Sequence, residues 1–450
     1  MRLHHGDDRT TIWHGDALEV LRGLPDASVD AIVTDPPAGI SFMGKEWDGA
    51  KGGREQWSAW LAEVMREAYR VTKPGGHALV WALPRTSHWT ACGLEDAGWE
   101  IRDKIVHLFG SGFPKSLDVS KAIDKAAGAE REVVGRYQPP NGKAWNLERD
   151  ESVPGNHGQT MGEFARRSES MNLTAPATPD AERWQGWGTA LKPAAEDWWL
   201  ARKPLTGTVA ANVLQHGTGA LNIDACRVET TDDLNGGAYS GEKRRRDEYT
   251  STDTAEGAVP MSRLNRGIGQ YTAPAGRWPT NVVLDDSQAA ELDEQSGVSR
   301  DGVAVKRNGV TSNGVTGWGT AEPGTPDAGG YGGEGGASRF FPTFRYEAKA
   351  PTSERPRVNG TAHPTVKPLD LMRWLVRLVT PPGGTVLEPF AGSGTTVEAC
   401  IVEGFHCIAI EREADYLPLI MQRINRRRDP VAYIKAAGDE LGLFDLEGLA

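Results

Sequence analysis

Short apolar runs alternate with amphipathic stretches near both ends of the chain. Residues 11–14 and 30–33 have the composition of buried strands, whereas residues 17–24 and 57–71 space their apolar side chains as a helix does. The same periodicity predicts further elements at 78–81, 94–99 (the end of a helix), 100–109, 120–127, 369–379, 385–387, 406–410 and 416–427. Alternating strands and helices are typical of βα units, so the pattern predicts a doubly wound α/β sheet.

The middle of the chain departs from this regular pattern. Residues 130–188 are polar and lack an apolar period, which predicts loops with little core. Residues 191–205 return to a strand pattern around two tryptophans, and a Gly- and Pro-rich stretch then fills residues 206–340. The pattern therefore predicts one α/β fold with a long insertion between its two halves.

A glycine turn follows the predicted strand 385–387. Gly392, Ser393 and Gly394 make a tight turn that opens a helix at Thr395, which lets the backbone approach a ligand closely. A later strand ends in Glu411, where nucleoside-binding α/β units place the carboxylate that grips ribose hydroxyls. The turn predicts a nucleoside-containing cofactor, although a plain strand-turn-helix corner would have the same glycines.

A stiff acidic loop follows the predicted strand 30–33. Pro36 and Pro37 remove two backbone donors and fix φ, and they push Asp35 into an extended conformation. The sequence therefore predicts a carboxylate held at the carboxyl end of a strand.

These two stretches resemble the motifs of a known family. DPPA at residues 35–38 resembles the D-P-P-Y loop, and EPFAGSGTT at residues 388–396 resembles the D-P-F-x-G-S-G-T loop, of phage and bacterial amino-DNA methyltransferases. The D-P-P loop comes first, which resembles the permuted β-class arrangement. HPTVKP at residues 363–368 resembles the segment that packs beside the methionine part of the family's cofactor.

The resemblance implies a Rossmann-like methyltransferase sheet with a loop-rich target-recognition region, and S-adenosylmethionine as the cofactor. The implied segments are a first catalytic half, a loop-rich insertion, a return strand, the target-recognition region, a second catalytic half with the cofactor loop, and a tail, at 1–117, 118–189, 190–205, 206–340, 341–430 and 431–450.

The resemblance also assigns site residues. Catalytic roles fall on Asp35, Pro36, Pro37 and Ala38. Cofactor contacts fall on Asp16, Asp35, His363, Thr365, Lys367, Glu388, Pro389, Phe390, Ala391, Gly392, Ser393, Gly394, Thr395 and Glu411. Substrate contacts fall on Phe42, Trp47, Phe113, Lys115, Lys243, Arg244, Arg245 and Arg246. The alternatives are a helix N-cap for Asp16 and a solvated charge cluster for the basic run.

The chemistry that the family performs explains the importance of position 38. An exocyclic amine becomes nucleophilic when Asp35 and the Pro36 carbonyl accept its N–H bonds, once the base has left the duplex. The family normally has an aromatic after the two prolines that stacks on this base, a contact worth roughly 1–3 kcal/mol. Ala38 therefore predicts weakened activity, with Phe42, Trp47 or Phe113 as candidate substitutes. A related departure is Ala195 before Glu196, where many relatives have His or an aromatic.

We expect a DNA adenine methyltransferase, because D-P-P loops accompany adenine more often than cytosine in the family. The alternatives are a cytosine-N4 methyltransferase and a catalytically silent DNA-binding homologue. A small-molecule methyltransferase is a further alternative, against which the long insertion and the HPTVKP run argue.

Composition limits how the protein meets its partners. The net charge of −11 is not that of a protein that coats nucleic acid, so contacts with double-stranded DNA must come from a local patch. The four cysteines include no C-x-x-C pair, which predicts reduced thiols and no metal site. No apolar run is long enough for a membrane span, so we expect a soluble, cytoplasmic protein.

Three further segments suggest partners or motion. Residues 41–54 suit a mobile lid near the substrate, with an ordinary surface loop as the alternative. The tail Glu440–Phe444 resembles the Q-L-x-L-F peptide that docks in sliding clamps, although Glu440 departs from it and a frayed helix is the alternative. A homodimer is the oligomeric state that the resemblance suggests.

Overall fold

The computed structural model describes most of the chain, namely residues 1–40, 48–49, 52–110, 116–136, 172–230, 232, 234, 274–300, 303–305, 326–330, 333–344 and 355–428. The chain divides into two structural units, Ser111–Ala194 and the remainder, Met1–Gly110 with Ala195–Ala450. Within the described residues, no helix is both long and apolar enough to cross a membrane.

One sheet of ten strands forms the centre of the larger unit. The strands are β1 (Arg2–Gly6), β2 (Thr10–His14), β3 (Val29–Thr34), β4 (Thr72–Ala82), β5 (Glu100–Leu108), β6 (Ala195–Arg202), β7 (Val282–Asp285), β8 (Thr343–Phe344), β9 (Thr385–Glu388) and β10 (His406–Glu411). Their spatial order is β1-β2-β10-β9-β3-β4-β6-β5-β7-β8. Neighbours are parallel, except that β1 is antiparallel to β2 and β6 is antiparallel to both β4 and β5.

Helices cover both faces of this sheet. They are α1 (Ala17–Gly23), α2 (Arg54–Val71), α3 (Ser87–Asp96), α4 (Val209–His216), α5 (Asp286–Ser296), α6 (Leu369–Val379), α7 (Thr395–Glu403) and α8 (Leu417–Arg428). Apolar side chains of α1, α2 and α3 form one buried cluster with the sheet, and those of α6, α7 and α8 form another. Along β3, Ile32 joins the first cluster, and Ala31 and Val33 join the second, as the two-residue period of a strand requires. The predicted doubly wound, Rossmann-like α/β sheet is confirmed.

Short elements outside the sheet complete the described part of the larger unit. Two-stranded ribbons pair Val228–Glu229 with Gly276–Arg277, Ser299–Arg300 with Glu334–Gly335, Val303–Val305 with Pro326–Gly330, and Arg357–Val358 with Thr361–Ala362. Single 3-10 turns lie at Pro84–Thr86, Asp224–Cys226, Ala337–Phe340 and Ala414–Tyr416.

The strand order places a topological switch point between β9 and β3. The connection from β9 through α7 leads to β10 on one side, whereas the connection from β3 through α2 leads to β4 on the other side. The loops that follow β9 and β3 therefore diverge and leave a crevice at the carboxyl ends of these strands. Open α/β sheets bind their ligands in such a crevice.

Two predictions about local structure need correction. The strand predicted at 78–81 begins earlier, at Thr72, and residues 73–76 form a bulge inside β4, because Thr72 pairs with Val29 and His77 pairs with Ala31. The helix predicted to reach residue 99 ends at Asp96 instead. Gly98, with φ +99°, turns the chain there, and the Trp99 indole donates a hydrogen bond to the Met65 carbonyl at 3.0 Å.

Part of the Gly- and Pro-rich stretch 206–340 belongs to the sheet unit. The buried Asn212 of α4 donates to the Pro74 carbonyl of the β4 bulge at 2.9 Å, and β7 extends the sheet beside β5. The predicted strand over 191–205 is confirmed as β6, between β4 and β5. The insertion therefore supplies scaffold as well as loops, while its role in target recognition stays a prediction.

The smaller unit, Ser111–Ala194, has a polar centre. Helices Val119–Ala126 and Pro179–Arg183 accompany a hairpin of Val133–Arg136 with Asn172–Thr174. The buried Asp124 accepts from Thr178 Oγ1 at 2.7 Å, from the Ala177 amide at 2.9 Å, and from Arg131. The helix predicted at 120–127 is confirmed, and its Asp124 bonds to described residues of 130–188, where we predicted loops with little core.

A buried ion cluster joins α7 to α8. Glu398, with no exposed surface, accepts hydrogen bonds from Arg423 and, at 2.7 Å each, from Nε of Arg426 and Arg427. Burial alone would raise the pKa of Glu398, but the three guanidinium groups outweigh it and lower that pKa to about 2. The three guanidinium groups therefore neutralise a buried carboxylate.

Replacing Glu398 with Gln should destabilise the fold by about 3–5 kcal/mol at pH 7, because buried arginines lose their partner. The depressed pKa means that this stabilisation is present above the ordinary value of 4.5 and is lost as the pH falls toward 2. Urea unfolding of parent and variant from pH 7 to pH 3 should show the difference shrinking. Glu403→Gln is the matched control on α7: its partners Arg373 and Arg377 are about one-third exposed, so we expect a loss of about 0–1 kcal/mol. Equal losses in the two variants would contradict this account.

Candidate active site

Glu388, the last residue of β9, ties the two site loops together. Its carboxyl group is hydrogen-bonded to Thr34 Oγ1 at 2.5 Å and to Thr396 Oγ1 at 2.6 Å. It also accepts a hydrogen bond from the Phe390 amide at 3.0 Å. Thr34 precedes Asp35, and Thr396 lies in the first turn of α7. Burial raises the pKa of Glu388 to about 8, so the group carries a proton at neutral pH. Glu388 thus holds the ends of β3 and β9 in register.

The glycine turn is fixed to β10 by backbone and carboxylate contacts. The Ala391 amide donates to the Ile410 carbonyl at 2.9 Å, and the Gly392 amide donates to Glu411 at 2.7 Å. The other Glu411 oxygen accepts from the Glu413 amide at 2.7 Å. Burial raises the pKa of Glu411 to about 7. The carboxylate retains acceptor capacity for a ligand hydroxyl.

Two glycines of this turn cannot be replaced without strain. Gly392 and Gly394 have φ of +52° and +81°. A Cβ at 392 would lie 3.2 Å from His363 Nε2, and one at 394 would lie 3.1 Å from Ile420 Cα. The turn is therefore tightly covered by the His363 segment on one side and by α8 on the other. The buried Arg423 of α8 also donates to the Ser393 carbonyl at 2.9 Å.

Neighbouring residues of the predicted cofactor loop take supporting positions. Ser393 Oγ lies 3.2 Å from Thr395 Oγ1, and Pro389 and Ala391 are buried. The Phe390 ring packs against Trp60 of α2, with centroids 5.7 Å apart. The loop is thus packed on its inner side along its length.

Asp16 caps helix α1, as the alternative interpretation predicted. Its Oδ1 accepts from the amides of Leu18 at 3.0 Å and Glu19 at 3.3 Å. The preceding Gly15 amide donates to the Glu411 carbonyl at 3.0 Å, which places the exposed Asp16 beside the end of β10. The contact between Asp16 and a cofactor stays a prediction.

The Asp35 loop is held from behind by residues that lie further along the chain. The Gly39 amide donates to the buried Asp48 at 2.8 Å. Gly39 has φ +70°, and a Cβ there would lie 2.3 Å from the Trp57 ring of α2. Pro36 is buried, whereas Pro37 and Ala38 are half-buried, and Ala38 packs at the margin of the α6 cluster. The loop therefore presents Asp35 from a rigid support.

The Asp35 carboxylate has a cationic neighbour from a distant segment. Lys367 Nζ lies 3.5 Å from Asp35 Oδ2 and 3.2 Å from Glu196 Oε2 on β6. Burial raises the pKa of Asp35 to about 6; Lys367 opposes this shift and Glu196 adds to it. Burial would also raise the pKa of Glu196, but Lys367, then His107 and Trp81, outweigh it and lower that pKa.

The HPTVKP segment reaches both loops. His363 covers Gly392 and packs edge-on against Tyr416 at 4.6 Å, and its Nδ1 accepts from the exposed Thr365 amide at 3.3 Å. Lys367, four residues later, reaches Asp35. The segment therefore connects the glycine turn with the acidic loop.

Other predicted site residues lie outside the described residues. These are Phe42, Trp47, Phe113, Lys115, Lys243, Arg244, Arg245, Arg246 and the tail 440–444. Their assignments stay predictions.

Several residues that shape the site were missed in the sequence. Thr34, Asp48, Trp57 and Trp81 reach it only through the fold. Glu196 was noticed only for the residue before it. A usable signal existed for Asp48, because a carboxylate close behind Gly39 suits a loop that needs its amide capped.

Comparison with known proteins identifies a family and similar sequences. The sequence matches the family described as DNA methylase, the N6/N4 methyltransferases, over residues 29–121 and 238–422, together more than half of the chain. The DNA adenine methyltransferase YhdJ of Escherichia coli (strain K12) is 43% identical over 76 residues, which are 16% of this chain and 24% of that protein. The type II methyltransferase M.BamHI of Bacillus amyloliquefaciens is 32% identical over 81 residues, 17% and 18% of the two chains. The matched stretch thus spans a quarter or less of each relative.

Solved structures resemble the chain only distantly. The PvuII cytosine-N4-specific DNA methyltransferase has a TM-score of 0.39 at 11% identity, covering 94% of this chain and 88% of that one. M1.HpyAVI has a TM-score of 0.36 at 13% identity, covering 92% and 98%. Scores this low do not establish a shared fold, so the fold assignment rests on the strand order.

The family match includes the Asp35 loop, the HPTVKP segment and the glycine turn, which the fold brings to one crevice. The chain belongs to the DNA methylase family of N6/N4 methyltransferases.

Proposed function

We propose that the protein transfers a methyl group from S-adenosylmethionine to the exocyclic amine of adenine in double-stranded DNA. The observation that carries the proposal is the placement of Asp35 beside the glycine turn through the Thr34–Glu388–Thr396 hydrogen bonds. The adenine assignment is supported by the D-P-P loop and by the name of the Escherichia coli relative. Cytosine N4 is the alternative target.

The crevice suits S-adenosylmethionine in two respects. The glycine turn carries no side chain at 392 and 394 at the carboxyl end of β9, and Glu411 at the end of β10 offers acceptor capacity to ribose hydroxyls. When bound, this cofactor supplies an electrophilic methyl group on a positively charged sulfur. His363, Glu411 and the 390–395 loop would hold it, with Asp16 near its adenine end.

The protein's own groups prepare the target amine. Asp35 and the Pro36 carbonyl accept its N–H bonds, which favours the pyramidal, nucleophilic form of the nitrogen. Asp35 acts best when ionised, because a protonated carboxyl group carries an O–H donor on one oxygen and is a weaker acceptor than a carboxylate. The base reaches Asp35 only outside the duplex, at a cost of a few kcal/mol that pocket contacts must offset.

Incubation with plasmid DNA and cofactor carrying a labelled methyl group, followed by nucleoside mass spectrometry, tests the proposed reaction. We expect labelled N6-methyladenine. Labelled N4-methylcytosine would support the alternative target. Unlabelled DNA despite cofactor binding would indicate a catalytically silent homologue. The structural reason would be Ala38, which lacks the ring that stacks on the extruded base.

Cofactor affinity should depend on Glu411 and on pH. Because its pKa is raised to about 7, Glu411 loses its charge as the pH falls through 7, and affinity should fall with it. Glu411→Gln should weaken binding by about 10- to 150-fold at pH 8, from the loss of a charged acceptor worth about 1.5–3 kcal/mol. Calorimetry between pH 6 and pH 8 measures both effects. Glu413→Gln, an adjacent and more exposed carboxylate, is the control and should bind as the parent does. Unchanged affinity in Glu411→Gln would reject the assigned contact.

Asp35 and Ala38 should affect methylation differently. Asp35→Asn should lower the single-turnover rate on the order of 100- to 1000-fold, because charge stabilisation is strongest in the transition state. Ala38→Tyr should raise the rate by roughly 5- to 150-fold, because a ring stabilises the extruded base. Asp103→Asn, on the exposed face of β5, is the control and should change little. A lower rate in Ala38→Tyr would mean that the pocket is shaped for another substrate.

A further inference from the structure

Lys367 occupies an unusual position between two carboxylates. Its ammonium lies 3.5 Å from Asp35, 3.2 Å from Glu196 and 3.9 Å from the centroid of the Trp81 ring. The Lys367 side chain is only 13% exposed, half the exposure of Asp35 at 27%. The ammonium is therefore buried behind the carboxylate that faces the crevice.

Glu196 is anchored by the sheet, so it fixes Lys367 in turn. The Trp81 indole of β4 donates to Glu196 Oε2 at 3.0 Å, and this is the oxygen that Lys367 contacts. Glu196 also lies opposite His107 in the β6–β5 pair. One partner of the ammonium thus belongs to rigid strands, whereas the other, Asp35, belongs to a loop.

We propose that Lys367 is a positioning residue for methyl transfer: held by Glu196 and Trp81, its ammonium orients the Asp35 carboxylate and keeps it an acceptor. This inference rests on the proposed function and reassigns Lys367 from the cofactor to Asp35. An ammonium carries three donors on a compact charge, so it binds both carboxylates at once.

The surrounding charges explain why Asp35 needs this cation. Glu196 and Asp48 both disfavour ionisation of Asp35, and Glu388 lies close enough for its own pKa to respond to Asp35. His107 faces Glu196 and Lys367 from β5. Carboxylates that share a site do not all ionise without a compensating charge. A protonated Asp35 would carry an O–H donor and would be a weaker acceptor for the amine hydrogen that faces it.

Two substitutions should move the pH dependence of the reaction in opposite directions. Lys367→Met leaves Asp35 and Glu196 without their cation. The acid limb of the pH–rate profile should therefore shift to higher pH, by about one pH unit or more. At pH 7 its single-turnover rate should fall on the order of 100-fold and partly recover at higher pH. Glu196→Gln removes a like charge, so the acid limb should shift to lower pH. A purely structural role would not produce opposite shifts.

Lys104→Met is a matched control. Lys104 of β5 pairs with Asp197 of β6 at 3.3 Å and lies 5.7 Å from the ring of Trp199 of β6, which makes a similar ammonium–carboxylate–tryptophan group. Its acid limb should stay at the parent position. Thermal unfolding identifies any variant that fails to fold. If Lys367→Met fails to fold, Glu196→Gln still tests the proposal.

Carboxyl NMR of 13Cγ-aspartate-labelled protein, with Asp35 assigned through Asp35→Asn, reads the same shifts without turnover. Opposite shifts of the Asp35 titration in Lys367→Met and Glu196→Gln, with cofactor affinity unchanged in calorimetry, support the proposal. Shifts of the same sign, no shifts, or a loss confined to cofactor affinity overturn it. If the parent methylates no DNA while the opposite titration shifts appear, the proposed function fails and the electrostatic role of Lys367 stands.

Discussion

The hydrogen bonds of Glu388 are the contact on which the rest of the site depends. β9 and β3 lie side by side in the sheet, but their loops diverge toward opposite faces. Without a link across the strand ends, each loop would be positioned only by its own helix. Glu388 bonds to Thr34 before the acidic loop and to Thr396 in α7, so both loops share one buried group. Burial raises the pKa of Glu388, because a neutral carboxyl group is buried at lower cost than a carboxylate, and the three hydrogen bonds satisfy the buried group.

Asp35 and Glu411 are carboxyl groups that carry negative charge in the crevice. Burial raises their pKa values to about 6 and about 7, so both are largely ionised above pH 7. This environment disfavours an anionic ligand and favours one that carries a positive centre. A sulfonium compound satisfies that requirement, whereas a dinucleotide would bring phosphates to the same carboxylates.

The sequence revealed what is local and concealed what is distant. Asp35 and the glycine turn were predictable, because prolines and glycines dictate the backbone within a few residues. The partners of Lys367 were not, because Glu196 is 171 positions away along the chain. The β4 bulge was not predictable for the same reason, because Asn212 bonds to it from a distant helix. The apolar period of α7 likewise does not show that Glu398 binds three arginines of α8. The apolar period of α3 continues toward Trp99, but Gly98 ends the helix through a backbone angle that the period does not encode.

The strand order has a consequence for how the chain folds. The central strand β3 pairs on one side with β9, and the hydrogen bond from the Thr385 amide to Asp30 joins residues 355 positions apart in the sequence. Strand β2 likewise pairs with β10, which follows β9 in the chain. During synthesis, one edge of β2 and one edge of β3 therefore stay unpaired until β9 and β10 have been synthesised. Contacts so far apart in sequence slow folding, and unpaired apolar edges invite association with other chains. A chain of this topology therefore exposes unpaired strand edges for longer than a chain whose central strands are adjacent in sequence.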